Sequence, residues 1–155
     1  MAVKRTSLEH MNCSVARSLD IIGEWWTLLI VRDIFQGKRR FEEIRQDLGI
    51  SRNVLADRLS TLVERGILTK VPIEKGFEEY RLTSKGIDLH SVIVTVMQWG
   101  DKWEAPNGAP LELVHDCGHV TQTRLVCDCC GEDVTAFNVV AQAGPGNSKR
   151  IRRKK

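Results

Sequence analysis

A chain of 155 residues with 42% hydrophobic composition can bury one core and a small appendage without a disulfide framework. Its formal charge of +3 is uneven, because six of the 23 Lys and Arg residues (Lys149, Arg150, Arg152, Arg153, Lys154 and Lys155) occupy the last seven positions and leave 17 basic against 20 acidic residues elsewhere. Any nucleic-acid binding must therefore come from a local patch; no run of about eighteen apolar residues offers a membrane span, and no secretory apolar stretch opens the chain, so a soluble cytoplasmic protein is expected.

Residues 1–12 read as an arm. Val15, Leu19 and Ile22 recur at helical spacing and Gly23 stops them, which predicts a first helix over 14–22. Residues 24–35 carry apolar positions around most of a helix circumference, so the second helix should be central and largely buried. Lys38, Arg39 and Arg40 form a basic step, open to a short strand. Phe41, Ile44 and Leu48 then give a short third helix ended by Gly49. Ser51 is a natural N-cap for a longer fourth helix over 52–65, whose apolar stripe is Leu55, Leu59, Leu62 and Val63.

A short helix, a tight turn and a longer helix exposing Arg52, Asn53, Ala56, Asp57, Arg58 and Ser60 make a helix-turn-helix signature, although an ordinary helical hairpin with a solvated face has the same spacing. The next segment separates the two. Leu68, Lys70 and Pro72, a turn at Glu74, Lys75 and Gly76, and Phe77, Tyr80 and Leu82 read as a β-hairpin in the position of a wing. Thr83 can cap a fifth helix over 84–103, whose apolar load exceeds one stripe. Another copy across a two-fold axis would cover the surplus, with Leu89, Val92, Val96, Trp99 and Trp103 as the expected interface. The expected class is mainly α with a small β wing, a winged helix-turn-helix over 13–103. A Cys/His-rich ribbon-like β extension over 104–143 and a flexible basic tail over 144–155 follow.

Three markers carry a family resemblance: Cys13 followed by a helix and Ile21-Ile22-Gly23-Glu24-Trp25-Trp26; Arg40-Phe41-Glu42-Glu43-Ile44; and Ile50-Ser51 through Leu55, Arg58, Leu59, Leu62 and Gly66-Ile67-Leu68. Tyr80-Arg81-Leu82-Thr83 before Gly86 is a fourth. The chain resembles the HxlR family of winged-helix regulators, which is similar to the broader MarR-type dimers. The resemblance implies a homodimer on a pseudo-palindromic operator, acting as a repressor rather than an enzyme. On that geometry Arg52, Asn53, Asp57 and Arg58 are placed to read bases or grip phosphates, Arg52 and Asn53 above all, and Ser51 with nearby amides can hold a phosphate. Arg58 could equally pair with an acid of its own domain. Lys38, Arg39, Arg40, Lys75 and the basic tail are further candidate phosphate contacts. The acidic wing, with Glu74, Glu78 and Glu79 around Lys75, argues against wing contacts and is the one feature favouring a protein-interaction scaffold that binds no DNA.

Four of the five cysteines crowd into 117–130, which suits a reducing compartment. His115-x-Cys117-x-His119 and Cys127-x-x-Cys130, each cysteine group ending in glycine, look like a miniature zinc ribbon, with His115, Cys117, Cys127 and Cys130 as the preferred ligands of one structural Zn2+. Reduced thiols, or a disulfide from Cys117 to the later cluster, remain the alternatives. Cys129 is an unassigned competitor, and a thiol oxidoreductase lacks the usual strand-helix context. Cys13 precedes the first helix, whose N-terminal dipole favours anions. The family resemblance implies that a cysteine here senses oxidants or an electrophilic effector.

Overall fold

The computed structural model describes residues 7–147, except the Lys75 side chain. The elements are α1 (Ser14–Ile22), α2 (Thr27–Phe35), α3 (Phe41–Leu48), α4 (Arg52–Glu64), β1 (Leu68–Pro72), a 3-10 turn (Glu74–Gly76), β2 (Glu78–Leu82), α5 (Ser84–Ile87) and α6 (Leu89–Trp103). Contacts divide the chain into Met1–Val96 and Met97–Lys155. The boundary thus falls inside α6, before the domain limit at residue 103 read from the sequence.

The first unit is organised around one core. Ile30, Val31 and Ile34 of α2, Ile44 of α3, Leu55, Leu59 and Leu62 of α4, and Ile50, Ile67, Leu68 and Tyr80 form its buried cluster. The α4 leucines recur at i, i+4 and i+7, so a single stripe faces inward and the opposite face is left to solvent. Each fully buried leucine contributes about 1.5–3 kcal/mol of transfer free energy.

Helix ends follow local chemistry. Gly23 closes α1 by donating its N–H to the Leu19 carbonyl at 2.9 Å. The second helix starts at Thr27, later than its periodicity suggested. Glu24 is the cause: its carboxylate accepts the Trp26 N–H at 3.1 Å and its carbonyl accepts the Thr27 N–H at 3.0 Å, so residues 24–26 form a turn. Trp25 is consequently 88% exposed rather than part of a buried spine. Gly49, at φ +61°, ends α3 in the left-handed region that favours glycine. Two residues later Ser51 caps α4, its Oγ accepting the Val54 N–H at 3.4 Å. Ile50, buried between them, pins the turn to the core.

The strands β1 and β2 pair antiparallel, with Leu68 opposite Leu82 and Lys70 opposite Tyr80. The basic step at Lys38, Arg39 and Arg40 is not a strand, although the Arg39 carbonyl accepts the Tyr80 N–H at 2.8 Å. Thr83 ties the hairpin to the next helix: its Oγ1 donates to the Gly66 carbonyl at 2.6 Å and accepts the Gly86 N–H at 3.2 Å. Gly86 is buried so closely that a Cβ there would stand 2.3 Å from the Ile67 carbonyl oxygen. The single helix expected over 84–103 is two runs offset at Asp88, which keeps α-type dihedrals of −61° and −20°.

In the second unit, beyond α6, the expected β extension is reduced among the described residues to two isolated bridges, Val114 with Val120 and Val126 with Asp133. Each closes a tight turn. Leu111, Val114, Leu125, Phe137 and Val140 stay exposed, so backbone hydrogen bonds and not apolar burial shape this region. No helix among the described residues is long and apolar enough to cross a membrane.

Candidate nucleic-acid interface

The outward side of α4 presents Arg52, Asn53, Ala56, Asp57 and Ser60, all exposed, over the inward Leu55, Leu59 and Leu62. At its N-terminus the free backbone N–H groups and the helix dipole favour an anion beside Arg52, Asn53 and the Ser51 cap. Arg52 is 68% exposed yet held in place. Its guanidinium pairs with the Glu42 carboxylate, and its central carbon lies 5.2 Å from the centre of the Phe41 ring. Glu42 also accepts the Arg45 Nε–H at 2.7 Å. Arg45 and then Arg52 hold the Glu42 carboxyl below its ordinary range. Neither Glu42 nor Phe41 was among the site residues read from sequence. The signal was present in the Arg40-Phe41-Glu42-Glu43-Ile44 marker, but what that segment touches is set by the turn at Gly49.

Arg58 faces the other way. It is 26% exposed, with its Nη2 2.6 Å from Asp57 and its Nε 3.8 Å from Glu24. This places it against acids of its own domain, the second of the two roles open to it from sequence.

Of the basic step, Lys38 is drawn into an ion cluster, with its Nζ 2.8 Å from Asp47 and 4.0 Å from Asp33. Asp33 is wholly buried, its Oδ1 bound by Arg32 at 2.6 Å while Oδ2 finds no hydrogen-bond partner among the described residues. Burial raises the Asp33 carboxyl pKa against the pull of Arg32 and Lys38, whereas Lys38 lowers that of Asp47. Arg39 and Arg40 remain exposed and enter no ion pair among the described residues. Their backbone N–H groups donate to the Glu43 carboxylate at 3.1 and 3.0 Å. These bonds, the Arg40 one foremost, lower its pKa and fix the entry into α3.

In the wing, Lys70 pairs with Glu78 at 3.0 Å and Arg81 with Glu79 at 3.2 Å, so two of the three carboxylates already have cationic partners. The Lys75 side chain and the tail cations from Lys149 to Lys155 lie outside the described residues.

Of the expected interface residues, Leu89 packs half-buried against the core. Val92, Val96, Trp99 and Trp103 form an exposed stripe along α6, with the two tryptophans 60% and 63% exposed. Val15 and Leu19 of α1 are exposed as well.

The cysteines lie on three separate turns or helix ends. Cys13, exposed and extended at φ −149°, is the N-cap residue of α1 and makes no side-chain cap bond. At residues 115–119 the His115 N–H donates to the His119 carbonyl at 2.9 Å and the Gly118 N–H to the His115 carbonyl at 2.8 Å. At residues 127–132 the Cys127 N–H donates to the Glu132 carbonyl and the Gly131 N–H to the Cys127 carbonyl, both at 2.8 Å. The backbone N–H groups of Cys130 and Cys129, then the Cys130 side chain, face the Cys127 sulfur and hold its pKa below the usual thiol range. Among the described residues no three His, Cys, Asp or Glu side chains converge as a metal would require. The donor set His115, Cys117, Cys127 and Cys130 therefore does not fit a four-coordinate ion in this arrangement. The second unit also carries an open groove of about 520 Å³ bordered by Met97, Gln98, Leu111, Leu113, Val120 and Thr123.

The HxlR-like helix-turn-helix family matches residues 21–107. An uncharacterized HTH-type transcriptional regulator of Mycobacterium tuberculosis is 47% identical over 155 residues, covering 97% of this chain and 98% of that protein. The crystal structure of PA1607, assigned as a transcription factor, superposes with a TM-score of 0.82 at 39% identity, covering 90% of this chain and 100% of its own. The redox regulator HypR in its oxidized form gives 0.54 at 29% identity, over 58% of this chain and 96% of its own. With its mainly helical, winged architecture, this chain belongs to the HxlR-like helix-turn-helix family and is a transcriptional regulator with a DNA-binding helix-turn-helix.

Proposed function

We propose that the protein is a homodimeric repressor that reads a pseudo-palindromic operator and loses it when Cys13 is oxidised or alkylated. The observation that carries this reading is the outward face of α4, a polar surface whose leading arginine is braced by Glu42 and Phe41. Arg52 and Asn53 reach base edges, while Ser51 and the first amides of α4 hold a phosphate. Arg39 and Arg40 add phosphate contacts, and Asp57 and Arg58 orient each other beside the helix. A second copy seated on Val92, Val96, Trp99 and Trp103 would cover the exposed stripe of α6. The dimer would then set two recognition helices about 34 Å apart, one helical turn of DNA. A dimer lying across consecutive grooves represses by occluding a promoter.

Cys13 supports the regulatory part, since it is exposed at a helix start and the matched HypR is a redox regulator. The scaffold alternative rested on the wing carboxylates, two of which are paired within their own hairpin.

One experiment tests the reading. Sequencing-based selection from random duplexes should yield a two-fold symmetric site, which Arg52→Glu should fail to retain in a low-salt shift assay while keeping the dimer mass. Mild oxidant should release wild type from that site and leave Cys13→Ser bound. A monomer, or an Arg52→Glu variant that binds normally, overturns the assignment.

A further inference from the structure

The turn at residues 127–131 has features that the DNA-binding reading does not use. It is closed on both sides, by the bonds from Cys127 to Glu132 and from Gly131 to Cys127 and by the bridge from Val126 to Asp133. Gly131 completes it at φ +74°, in the left-handed region where a side chain is strained. The Arg124 guanidinium at 2.8 Å from Asp133 and the Asn138 side-chain amide, donating to the Asp133 carbonyl at 2.7 Å, hold its base. Within it Cys127 and Cys130 stand three residues apart on the same turn, and both reach solvent.

Two cysteines carried by one closed, accessible turn can serve a metal or a disulfide. A metal needs further donors, and none converge on this pair among the described residues. The neighbouring turn supplies a contrast, since its one cysteine, Cys117, has one histidine on either side, His115 and His119, in place of a second thiol. A bridge between the adjacent Cys129 and Cys130 would be strained.

We propose that Cys127 and Cys130 are a second oxidation site, a dithiol that a hydroperoxide converts to a reversible intramolecular disulfide independently of Cys13. The Cys127 sulfur attacks one peroxide oxygen: an S–O bond forms, the O–O bond breaks, and the leaving oxygen takes up the thiol proton. The Cys130 sulfur then attacks the Cys127 sulfur, so that the S–S bond forms and the S–O bond breaks. The departing hydroxide leaves as water with the Cys130 proton. The two thiols together lose two electrons and two protons, and the hydroperoxide is reduced to an alcohol and water.

The test uses the full chain as the Cys13→Ser variant, so that its outcome does not depend on the Cys13 reading. Of the five cysteines that variant keeps Cys117, Cys127, Cys129 and Cys130. After treatment with tert-butyl hydroperoxide, alkylatable thiols should fall from four to two per chain. Peptide mapping should join Cys127 to Cys130, and dithiothreitol should restore all thiols. Adding Cys129→Ser should leave the bridge intact, whereas adding Cys130→Ser should abolish it and let Cys127 stop at a sulfenic acid trapped by dimedone. The proposal is overturned if the bridge uses Cys117. It is equally overturned if all four thiols stay alkylatable, or if protein purified without chelator holds zinc that must be stripped before the thiols react.

Discussion

The winged-helix unit and the turn-rich region after α6 are built by different forces. In the first, one apolar cluster from α2, α3, α4, β1 and β2 is sealed from water, and the helices around it are ended by local caps and turns. In the second, large apolar side chains such as Phe137 and Val140 remain in solvent, and short-range backbone bonds closed by glycines make the shape. A cooperative core suits a surface that must hold Arg52 and Asn53 rigidly. Locally closed turns suit sulfur chemistry, which needs access more than burial.

The contrast can be broken most forcefully at the centre of the core. Leu59→Ala should cost about 2–5 kcal/mol, because α4 cannot collapse onto the space it leaves; chemical denaturation monitored by circular dichroism measures this. A cost near zero would mean that the cluster is not the organiser. Gly86→Ala comes next, at about 1–3 kcal/mol, since its methyl must push the Ile67 carbonyl and shift the hairpin against α5.

Acid sharpens the comparison. The folded-state pKa values of Glu42, Glu43 and Asp47 are lowered, so their stabilising contribution is present above the ordinary carboxylate range and is lost as pH falls through the folded values. Asp33 has the opposite sign, as protonation relieves its burial cost and partly offsets the loss. The denaturation midpoint of the first unit should therefore drop between roughly pH 5 and pH 3. Glu43→Gln should flatten that drop and cost about 1 kcal/mol at neutral pH, the usual worth of a helix cap. The smallest effect is expected at Gly131→Ala, which strains a left-handed position by about 1 kcal/mol. It should leave the unfolding of the winged-helix unit unchanged while slowing formation of the Cys127–Cys130 bridge. A matching shift in both units would erase the distinction.

The element order was legible because its signals are local. The apolar stripes of α1, α3 and α4, Gly23 and Gly49 as stops, and the Ser51 cap each depend on residues within a few positions of one another. The start of α2 was not legible because Glu24 satisfies two amides ahead of it and turns Trp25 outward, an arrangement that apolar spacing does not reveal. Leu89 and Val92 look alike as apolar helix positions, yet one packs on the core and the other does not.

By itself, then, the sequence determined the winged helix-turn-helix architecture, the family and the polar side of α4, since periodicity, caps and motif order are short-range properties of the chain. The tertiary structure alone decided which charges meet: Arg52 with Glu42, Arg58 with Glu24, and Lys38 with Asp47 and Asp33. Among the described residues it also left His115, Cys117, Cys127 and Cys130 without the convergence a metal needs, because convergence of side chains distant in sequence depends on how the segments between them pack.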